Sequence, residues 1–590
     1  MKKNLLGKVL FTLFLLSSLY SCKSRVESSA VGESFTWDNA TVYFVYIDRF
    51  FNGTSSNDEN YNRKNDYGNE TKNVATFHGG DIVGITQKLE EGYFQKLGVN
   101  VIWITGVYEQ IHGWVGGGDK NDFPHYAYHG YYPMDFTAMD KNFGTIEEFR
   151  AFVDLAHTQG MRVVMDAGIN HPGYLTLLDA VQYKFGGVDL TEDEAVMHYD
   201  GLNLEGKDSL EHYQIYSYLN HFDFEDSQNW MNWWGDSWIR SSEEVDKDVL
   251  TESIFGLPDF RTDSRKAVGL PQLMKNKWAS EGDEFKKWVN PSAQKYRTDL
   301  DIAQSEYVIH WLAAWVEEFG IDGFRCDVLE NVDTFRWVEL NKACNEALSN
   351  WREKNPNIAG ANWSDNFWMT GDIWDAGIDF NEEYAKAGFA SIVNFTFPKD
   401  GNLLSIGTTW QNYSDNLNTR EDWNTLSFLN NTYKRDTQNS DMMNCGTSLL
   451  LSPGAVQIFY GDEVGRKAVE SNASDPTHGF RSDFVWGTNP EMLKHWRKLG
   501  QFRNNHHSVG AGIQTSIGEN TFLREYDKNG HRDRVIIKLT EDELSVVELR
   551  DIYEEGTQLR NAYSGEIAKV EDGKVAFKSV NQVLLIEEVR

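Results

Sequence analysis

The sequence has little cysteine, which excludes a disulfide-stabilised fold and a metal site built from closely spaced cysteines. Its four cysteines, Cys22, Cys326, Cys344 and Cys445, are too few for a disulfide scaffold in a chain of 590 residues. Their positions show no spacing typical of a metal site. Because Cys22 lies in an N-terminal segment with a separate role, the other three allow at most one disulfide within the chain.

Basic residues are scarce relative to acidic ones. The 56 Lys and Arg residues against 89 Asp and Glu residues leave a formal net charge of −33. Binding to a phosphate backbone requires a basic face, so the sequence predicts no nucleic-acid partner. The chain also lacks a solenoid repeat and a low-complexity tract, and its length predicts two or three folded domains.

The apolar run near the N-terminus is too short to be an ordinary membrane-spanning helix. It extends from Val9 to Leu19 after two lysines, a pattern typical of an export signal. The residues from Leu19 to Cys22 then resemble a bacterial lipobox, in which Cys22 would be lipidated after cleavage. The sequence therefore predicts a lipoprotein signal peptide at 1–22 and a polar, Ser-rich linker at 23–36.

From these features we expect an exported bacterial lipoprotein, periplasmic or outer-membrane associated, that is attached to the membrane through lipidated Cys22. The alternative is a simple secretory signal in which Cys22 is incidental. No acidic run follows Cys22, so the sequence assigns no membrane face.

Short β-branched and aromatic runs alternate with helix-period segments from Thr41 onward. Eight strands that alternate with helices are typical of a (β/α)8 TIM barrel, which we predict within 37–507. Polar and charged residues follow the runs, at the end where such barrels keep their chemistry. The predicted strands are 41–47, 99–105, 162–167, 321–327, 367–372, 391–397, 425–429 and 455–460.

Two further regions are predicted outside the barrel pattern. About 150 residues separate the third and fourth runs, too many for a loop, so an inserted subdomain is expected at about 172–300. Its tryptophan cluster (Trp230, Trp233, Trp234 and Trp238) is either the core of that subdomain or a platform for sugars. Alternating segments with Gly and Asp-Gly breaks predict a C-terminal antiparallel β domain at 508–590.

The octet from Gly320 to Asp327 is the main candidate for chemistry. On a strand, Arg325 and Asp327 point to the same side, because side chains alternate. A fixed cation beside a carboxylate favours the ionised form, which a glycosidase nucleophile requires. The alternative, from these residues alone, is a structural ion pair at the end of a strand.

Several motifs in order along the chain resemble one family. Over about 37–590 the sequence is similar to the α-amylase family, glycoside hydrolase family 13, with a layout most like bacterial periplasmic α-amylases. Each motif alone is weak, but the set in family order at predicted strand ends is specific. The motifs are Asp48-Arg49-Phe50, Gly79-Gly80-Asp81, Tyr128-His129-Gly130-Tyr131, Asp166-Ala167-Gly168-Ile169-Asn170-His171, Leu257-Pro258-Asp259-Phe260, Gly323-Phe324-Arg325-Cys326-Asp327 and Tyr460-Gly461-Asp462-Glu463.

The resemblance implies a role for each matching residue. Asp327 would be the nucleophile, and Arg325 would hold and ionise it. The residues implied to line the cleavage subsite are Tyr131, His129 and His171, with Asp166 bracing the site. The resemblance also implies a structural Ca²⁺ held by Asn170, Asp259 and the backbone carbonyl of Asn331, and hard oxygen donors suit that ion.

The sequence departs from the family pattern at the second and third carboxylates. The family has Glu at the end of strand five as acid and base, whereas this chain has Asp372, which is one methylene shorter. The third carboxylate follows strand seven in an Asn-His-Asp pattern. An ungapped alignment replaces its His and Asp with Thr432 and Tyr433, and a three-residue insertion instead places Arg435 and Asp436 there.

A further departure lies after the nucleophile, where the family Lys-His pair is replaced by Glu330-Asn331. An anion in place of a cation predicts altered binding on the leaving-group side.

Two functions follow from these residues. The first is a retaining hydrolase or transglycosylase that acts on α-1,4-glucans such as starch and maltooligosaccharides, with reduced activity. The second is a non-catalytic α-glucan-binding lipoprotein built on an amylase frame. A third, more remote hypothesis is a chaperone-type partner that uses only the surface of the barrel.

Overall fold

The computed structural model describes most of the chain beyond residue 34. The described residues are 35–66, 74–117, 123–185, 191–193, 195, 233–241, 243–433, 437, 440–470, 476–528 and 530–589. The predicted signal peptide with Cys22, nearly all of the predicted linker, Trp230, Arg435 and Asp436 lie outside the described residues. The domain boundaries stay predictions.

Eight parallel strands form a closed barrel, which confirms the predicted TIM barrel. Each strand pairs with its neighbours in chain order, and β1 closes the barrel against β8. Every strand overlaps one predicted run. Barrel strands are buried on both faces and therefore appear in the sequence as short apolar runs. The strands are β1 Thr41–Val45, β2 Val101–Ile104, β3 Arg162–Ala167, β4 Gly323–Cys326, β5 Trp368–Gly371, β6 Ser391–Asn394, β7 Asn424–Phe428 and β8 Ala455–Phe459.

Helices connect and cover the barrel strands. Within the described part of the chain, none of them has the length and apolar character needed to cross a membrane. The α-helices are Ile47–Phe50, Ile82–Glu90, Tyr93–Leu97, Ile146–Thr158, Leu177–Gln182, Gln272–Ser280, Gln304–Phe319, Thr334–Lys354, Glu382–Lys386, Ile406–Leu417, Met442–Leu450, Pro490–Asn505 and His507–Ala511.

The turn into β4 is fixed by one glycine. Gly320 ends the helix Gln304–Phe319 with a φ of 74°, in the left-handed region. A Cβ at this position would lie 2.5 Å from Cε2 of Trp351. Any other residue would therefore clash with Trp351 and would be strained in this backbone conformation. This tight turn connects the helix directly to β4, which places Arg325 near the carboxyl end of that strand.

The tryptophans of the inserted segment form packing contacts. Trp233, Trp234 and Trp238 are each about 1% exposed. Trp238 stacks on Trp311 of the helix Gln304–Phe319, with ring centroids 5.9 Å apart, and Trp234 meets Phe260 edge-on. The three described members of the cluster are therefore core residues and not an exposed platform for sugars.

The connection between β2 and β3 contains strands that the sequence pattern did not predict. They form two antiparallel pairs and carry the segment with His129 and Tyr131 over the barrel. A third short pair joins the end of the inserted segment to the start of the helix Gln304–Phe319. These strands are Tyr108–Gln110, Trp114–Gly117, Phe123–Tyr126, Pro133–Met139, Ala267–Val268 and Ile302–Ala303.

The C-terminal region is an antiparallel β structure, as predicted. Six strands form one sheet in the order β9-β10-β11-β16-β13-β14, and β12 pairs with β15 in a second sheet. Side chains from both sheets, such as Val547, Phe577 and Ile586, share one core. The strands are β9 Ile513–Gly518, β10 Thr521–Lys528, β11 His531–Leu539, β12 Leu544–Glu548, β13 Gln558–Asn561, β14 Ile567–Lys569, β15 Lys574–Lys578 and β16 Val583–Glu588.

Candidate active site

Arg325 is buried at the carboxyl end of β4 and binds the carboxylate that follows this strand. Its side chain is 4% exposed, and Nη2 lies 2.9 Å from Oδ1 of Asp327. Phe324 and Cys326 are fully buried. The Arg325–Asp327 contact agrees with the alternation expected of a strand. The candidate nucleophile is therefore held beside a fixed positive charge.

Asp372 follows β5 and binds the same nitrogen of Arg325. Its Oδ2 contacts Nη2, the atom that also contacts Asp327. Because both carboxylates contact one nitrogen, their separation is compatible with the about 5 Å that a retaining pair of carboxylates requires. The two side chains are 14% and 13% exposed, so both retain some contact with solvent.

The environment of Asp372 has two opposing effects on its proton affinity. Burial raises the pKa of Asp372 above its ordinary value, and the nearby Asp327 adds to this rise. The charge and hydrogen bond of Arg325 lower the pKa but do not cancel the effect of burial. A raised pKa suits a general acid, whereas the contact with Arg325 favours the ionised carboxylate.

Asp166, at the end of β3, is held by three side chains. Oδ2 accepts a hydrogen bond from Tyr131 Oη at 2.7 Å, and Oδ1 accepts one from Trp103 Nε1 at 2.9 Å. Arg325 Nη1 lies 3.4 Å from the same Oδ1. Burial raises the pKa of Asp166 to about 7. This arrangement fits the bracing role implied by the resemblance, and Trp103 is a partner that the sequence analysis did not identify.

The two candidate histidines are neutral rings, with His129 against Tyr131 and His171 near Asp327. His129 Nδ1 accepts a hydrogen bond from the backbone N–H of Tyr131 at 3.0 Å, and the two rings stack with centroids 5.5 Å apart. Burial lowers the pKa of His171. The negative charge of the nearby Asp327 raises that pKa, but by less. Burial also lowers the pKa of His129. A neutral imidazole can donate one hydrogen bond to a sugar hydroxyl and accept one from another.

Two further residues of the site, Trp374 and Arg481, were not predicted as site residues, and Tyr433 was weighed only as an alternative. Tyr433, weighed in the ungapped alignment, lies near both Asp327 and Asp372. Trp374, which is 48% exposed, contacts the Tyr433 ring at 5.4 Å. Arg481 is buried beside Tyr433 and Tyr128. Trp374 could have been found from its position two residues after Asp372, but Arg481 comes from a distant segment with no motif.

The segment after Asp327 leaves Glu330 exposed. Val328 adopts a φ of 47°, an unusual conformation for a β-branched residue, and precedes a short 3-10 helix over Leu329–Asn331. Glu330 is exposed, whereas Asn331 is buried. The anion that replaces the family cation is thus free to meet solvent or a ligand on this side of the site.

The residues implied for calcium come together. Asn170 Nδ2 donates to Oδ1 of Asp259 at 3.2 Å and to the carbonyl oxygen of Asn331 at 2.9 Å. Turning the Asn170 amide over would present its own oxygen beside the other two. Asp259 Oδ2 also pairs with Arg240 Nη1 at 2.5 Å, yet burial still raises the pKa of Asp259 to about 7. The site thus offers one buried carboxylate, which is already paired with Arg240, beside the Asn170 amide and the Asn331 carbonyl.

The calcium donor set would be mixed in chemistry. Among the residues that the structure describes, no three His, Cys, Asp or Glu side chains cluster in a way that could hold a metal. An ion at Asp259 would thus depend on amide and carbonyl oxygens as well as one carboxylate, which Ca²⁺ accepts.

A TIM barrel with two carboxylates at the carboxyl ends of β4 and β5 is the arrangement expected of a glycosidase-type protein. Comparisons with known proteins agree. The family model "Alpha amylase, catalytic domain" matches residues 44–282. The periplasmic α-amylase of Escherichia coli (strain K12) is 40% identical over 498 residues, which cover 82% of this chain and 69% of that protein. The chain belongs to the α-amylase family.

More distant relatives support the same fold. The maltogenic α-amylase of Bacillus acidopullulyticus is 22% identical over 596 residues, which cover 97% of this chain and 81% of that protein. The crystal structure of Geobacillus thermoleovorans α-amylase, complexed with acarbose, matches with a TM-score of 0.58 at 18% identity. That match covers 94% of this chain and 99% of the solved chain.

Proposed function

We propose that this protein is a retaining glycoside hydrolase or transglycosylase that acts on α-1,4-glucans, such as starch and maltooligosaccharides. The observation that carries the proposal is the pair of carboxylates, Asp327 and Asp372, held at one nitrogen of Arg325. The kinship with amylases supplies the substrate class, since their names refer to starch-type glucans.

In the first step, Asp327 attacks the anomeric carbon and forms a glycosyl ester while the glycosidic C–O bond breaks. The protonated carboxyl of Asp372 gives its proton to the leaving oxygen. In the second step, water or an acceptor hydroxyl loses a proton to Asp372 and attacks the anomeric carbon, which releases Asp327. Water completes hydrolysis and a sugar hydroxyl completes transglycosylation.

We expect the activity to be lower than that of a typical family member. Asp372 is one methylene shorter than the family Glu, and a misplacement of ~1 Å can cost on the order of 10²-fold in rate. Its contact with Arg325 also stabilises the ionised form, which cannot donate a proton. Asp436 is retained as the candidate third carboxylate under the gapped alignment.

The second candidate function is a non-catalytic α-glucan-binding protein on the same frame. The contact between Asp372 and Arg325 favours it, because a carboxylate held in an ion pair is a poor acid. Tyr131, His129 and His171 would bind glucan equally well in that case.

Export and attachment form a separate part of the proposal. The relative from Escherichia coli is named a periplasmic enzyme, which supports export of this chain. We further propose that Cys22 is lipidated and anchors the protein at the membrane. Structural Ca²⁺ at Asn170, Asp259 and the Asn331 carbonyl would tie the segment after β3 to the inserted segment and to the segment after β4.

One experiment separates the two functions. Purified protein incubated with maltoheptaose should release reducing ends, and Asp327→Asn should abolish their release while binding is preserved, as measured by calorimetry. Binding without turnover over days would support the glucan-binding protein instead. No binding at all would contradict both functions.

A further inference from the structure

Lys277 is a buried cation of the inserted segment, and its side chain contacts three carboxylates. Its Nζ lies 2.7 Å from Oε2 of Glu109, 2.9 Å from Oδ2 of Asp135 and 2.8 Å from Oε1 of Glu281. The side chains of Lys277, Glu109 and Asp135 are almost completely excluded from solvent. Burial alone would lower the pKa of Lys277, but the three carboxylates raise it. The ammonium group is therefore a fixed positive charge inside the protein.

Glu109 and Asp135 are two like charges placed directly opposite each other. They are partners in the antiparallel pair formed by the strands Tyr108–Gln110 and Pro133–Met139. The register of this pair shifts on both sides of Glu109, so no regular ladder holds the position. Like charges directly opposite on neighbouring strands repel each other, and burial strengthens the repulsion. A cation between them is needed to keep the two strands together.

Neighbouring groups do not replace Lys277 at Glu109. Arg297 Nη2 lies 3.2 Å from Oδ2 of Asp135. Over the described ranges, however, Lys277 is the only Lys or Arg that forms an ion pair with Glu109. The other oxygen of Glu109 lies 3.0 Å from Nε2 of His112, whose charge depends on protonation. Loss of Lys277 would therefore leave Glu109 without a fixed cation, whereas Asp135 would keep Arg297.

The two strands are the stem of the segment that carries Tyr131. Gln110 follows Glu109 directly, and its Oε1 accepts a hydrogen bond from the backbone N–H of Tyr132 at 2.7 Å. The backbone of the segment is thus tied to the stem immediately beside Tyr131. A stem that opens at Glu109 would move this part of the segment.

Residues at both ends of the segment bind Asp166. Tyr108, the residue before Glu109, donates from its Oη to the backbone carbonyl of Asp166 at 3.1 Å. Tyr131 donates from its Oη to Oδ2 of Asp166 at 2.7 Å. Arg325 Nη1 lies 3.4 Å from the other oxygen of Asp166, and this arginine also binds the two candidate catalytic carboxylates. A change in the stem therefore reaches the arginine through Asp166.

We propose that Lys277 is a positioning residue for the candidate active site. Its ammonium group holds Glu109 and Asp135 together, and the closed stem sets the position of Tyr131 in the site. The inference rests on the proposed function for its activity measurements. It adds a residue of the inserted segment that acts through Tyr131 and not at the reacting atoms. The competing explanation is that Lys277 only stabilises the fold.

The first test removes the charge of Lys277. For full-length protein assayed well below its midpoint of thermal unfolding, we expect Lys277→Met to lower kcat/KM on maltoheptaose by about 10-fold or more, because a displaced contact in the site slows the reaction. Lys275→Met is the matched control, since Lys275 lies on the same helix and forms a solvent-exposed pair with Asp299 at 2.9 Å. This control should leave kcat/KM unchanged. An unchanged kcat/KM for Lys277→Met would overturn the proposal.

A second substitution tests the role of the opposed charges. Glu109→Gln in the Lys277→Met protein removes the negative charge that Lys277 had compensated. We expect this double variant to regain most of the lost kcat/KM. A double variant as slow as Lys277→Met would contradict the role assigned to the two carboxylates.

A double-mutant cycle separates positioning from general stability. Tyr131→Phe removes the hydroxyl that binds Asp166. In the Tyr131→Phe protein, Lys277→Met should cost at most about threefold in kcat/KM, because effects that act through one contact are not additive. An equal fold-loss in both backgrounds would assign Lys277 to stability alone. Lys277→Arg, which keeps the charge but not the geometry of the ammonium group, replaces Lys277→Met in this cycle if that variant does not fold, and the same criterion applies.

A binding measurement keeps this inference separate from the proposed hydrolase function. If the unchanged protein has no turnover, the hydrolase function fails by itself. Calorimetry with maltoheptaose then replaces the rate measurement. Lys277→Met should raise Kd about fivefold in the otherwise unchanged protein and much less in the Tyr131→Phe protein. An unchanged Kd for Lys277→Met would refute the positioning role.

Discussion

Asp372 binds the same nitrogen of Arg325 that binds Asp327, the candidate nucleophile. This contact places the second carboxylate across from the first, and it also keeps the shorter Asp side chain against the guanidinium. The pairing supports a retaining mechanism through geometry and opposes it through charge. Changes at position 372 should therefore reveal which effect dominates.

Asp372→Glu should raise the rate of maltoheptaose hydrolysis. The added methylene extends the carboxyl toward the leaving oxygen, and recovery of a displacement of ~1 Å can increase kcat by up to about 10²-fold. Initial rates of reducing-end release measure the effect, with Asp379→Glu as control, because Asp379 is an exposed carboxylate of the same segment. A lower kcat for Asp372→Glu would mean that the backbone has adapted to Asp.

The barrel and the contact between Arg325 and Asp327 could be predicted from the sequence because their signals are local. The eight strands are short apolar runs, and the spacing of Arg325 and Asp327 predicts a contact that the structure contains. The contact between Arg325 and Asp372 was not predicted, because it depends on the register in which Arg325 pairs with Thr370 on β5. Side chains from neighbouring strands meet only once that register is set.

Long-range partners of the site left no pattern in the sequence. Arg481 reaches Tyr128 across 353 positions, at 3.5 Å, from a segment that follows β8. In the sequence, Trp103 is one residue of an apolar run, and nothing in that run indicates that its Nε1 donates a hydrogen bond to Asp166. The strands that carry His129 and Tyr131 over the barrel contain Gly and Pro residues and lack a regular alternation. Such contacts are products of tertiary packing.

Removal of calcium should lower thermal stability. If Ca²⁺ binds Asp259, Asn170 and the Asn331 carbonyl, EDTA should lower the Tm by several degrees, because a ligand that binds only the folded state stabilises it. Added Ca²⁺ should restore the Tm, whereas Mg²⁺ at the same concentration should restore it less. Asp259→Asn should abolish the response. An identical Tm with EDTA and with Ca²⁺ would exclude a structural ion at this site.

Replacement of Cys22 should release the protein from membranes. A single lipidated cysteine is the proposed anchor, so Cys22→Ala should move the protein from the membrane fraction to the soluble fraction of the bacterial cell. Immunoblots of the two fractions measure the shift, with Ser21→Ala as the neighbouring control. An unchanged distribution for Cys22→Ala would show that the lipobox interpretation is wrong.

Stability should fall at alkaline pH because of a histidine at the junction with the C-terminal sheet. His506 Nδ1 lies 2.8 Å from Asp533 on β11, and Nε2 lies 2.6 Å from Glu587 on β16. Burial alone would lower the pKa of His506, but the hydrogen bonds and charges of the two carboxylates raise it to about 9. The titratable groups near this cluster also include Arg560, which pairs with Glu587, and the histidines His507 and His531.

The direction of the pH effect follows from that raised pKa. The stabilisation by His506 is fully present below the unfolded pKa of about 6.5 and is lost as pH rises through about 9. Urea unfolding at pH 6 and pH 9.5 should differ by on the order of 1–3 kcal/mol, with the lower stability at pH 9.5. His506→Asn should flatten this dependence, whereas His531→Asn should preserve it. A full pH dependence in His506→Asn would assign the alkaline loss of stability to other groups, since Asp533 and Glu587 have lowered pKa values and titrate only in acid.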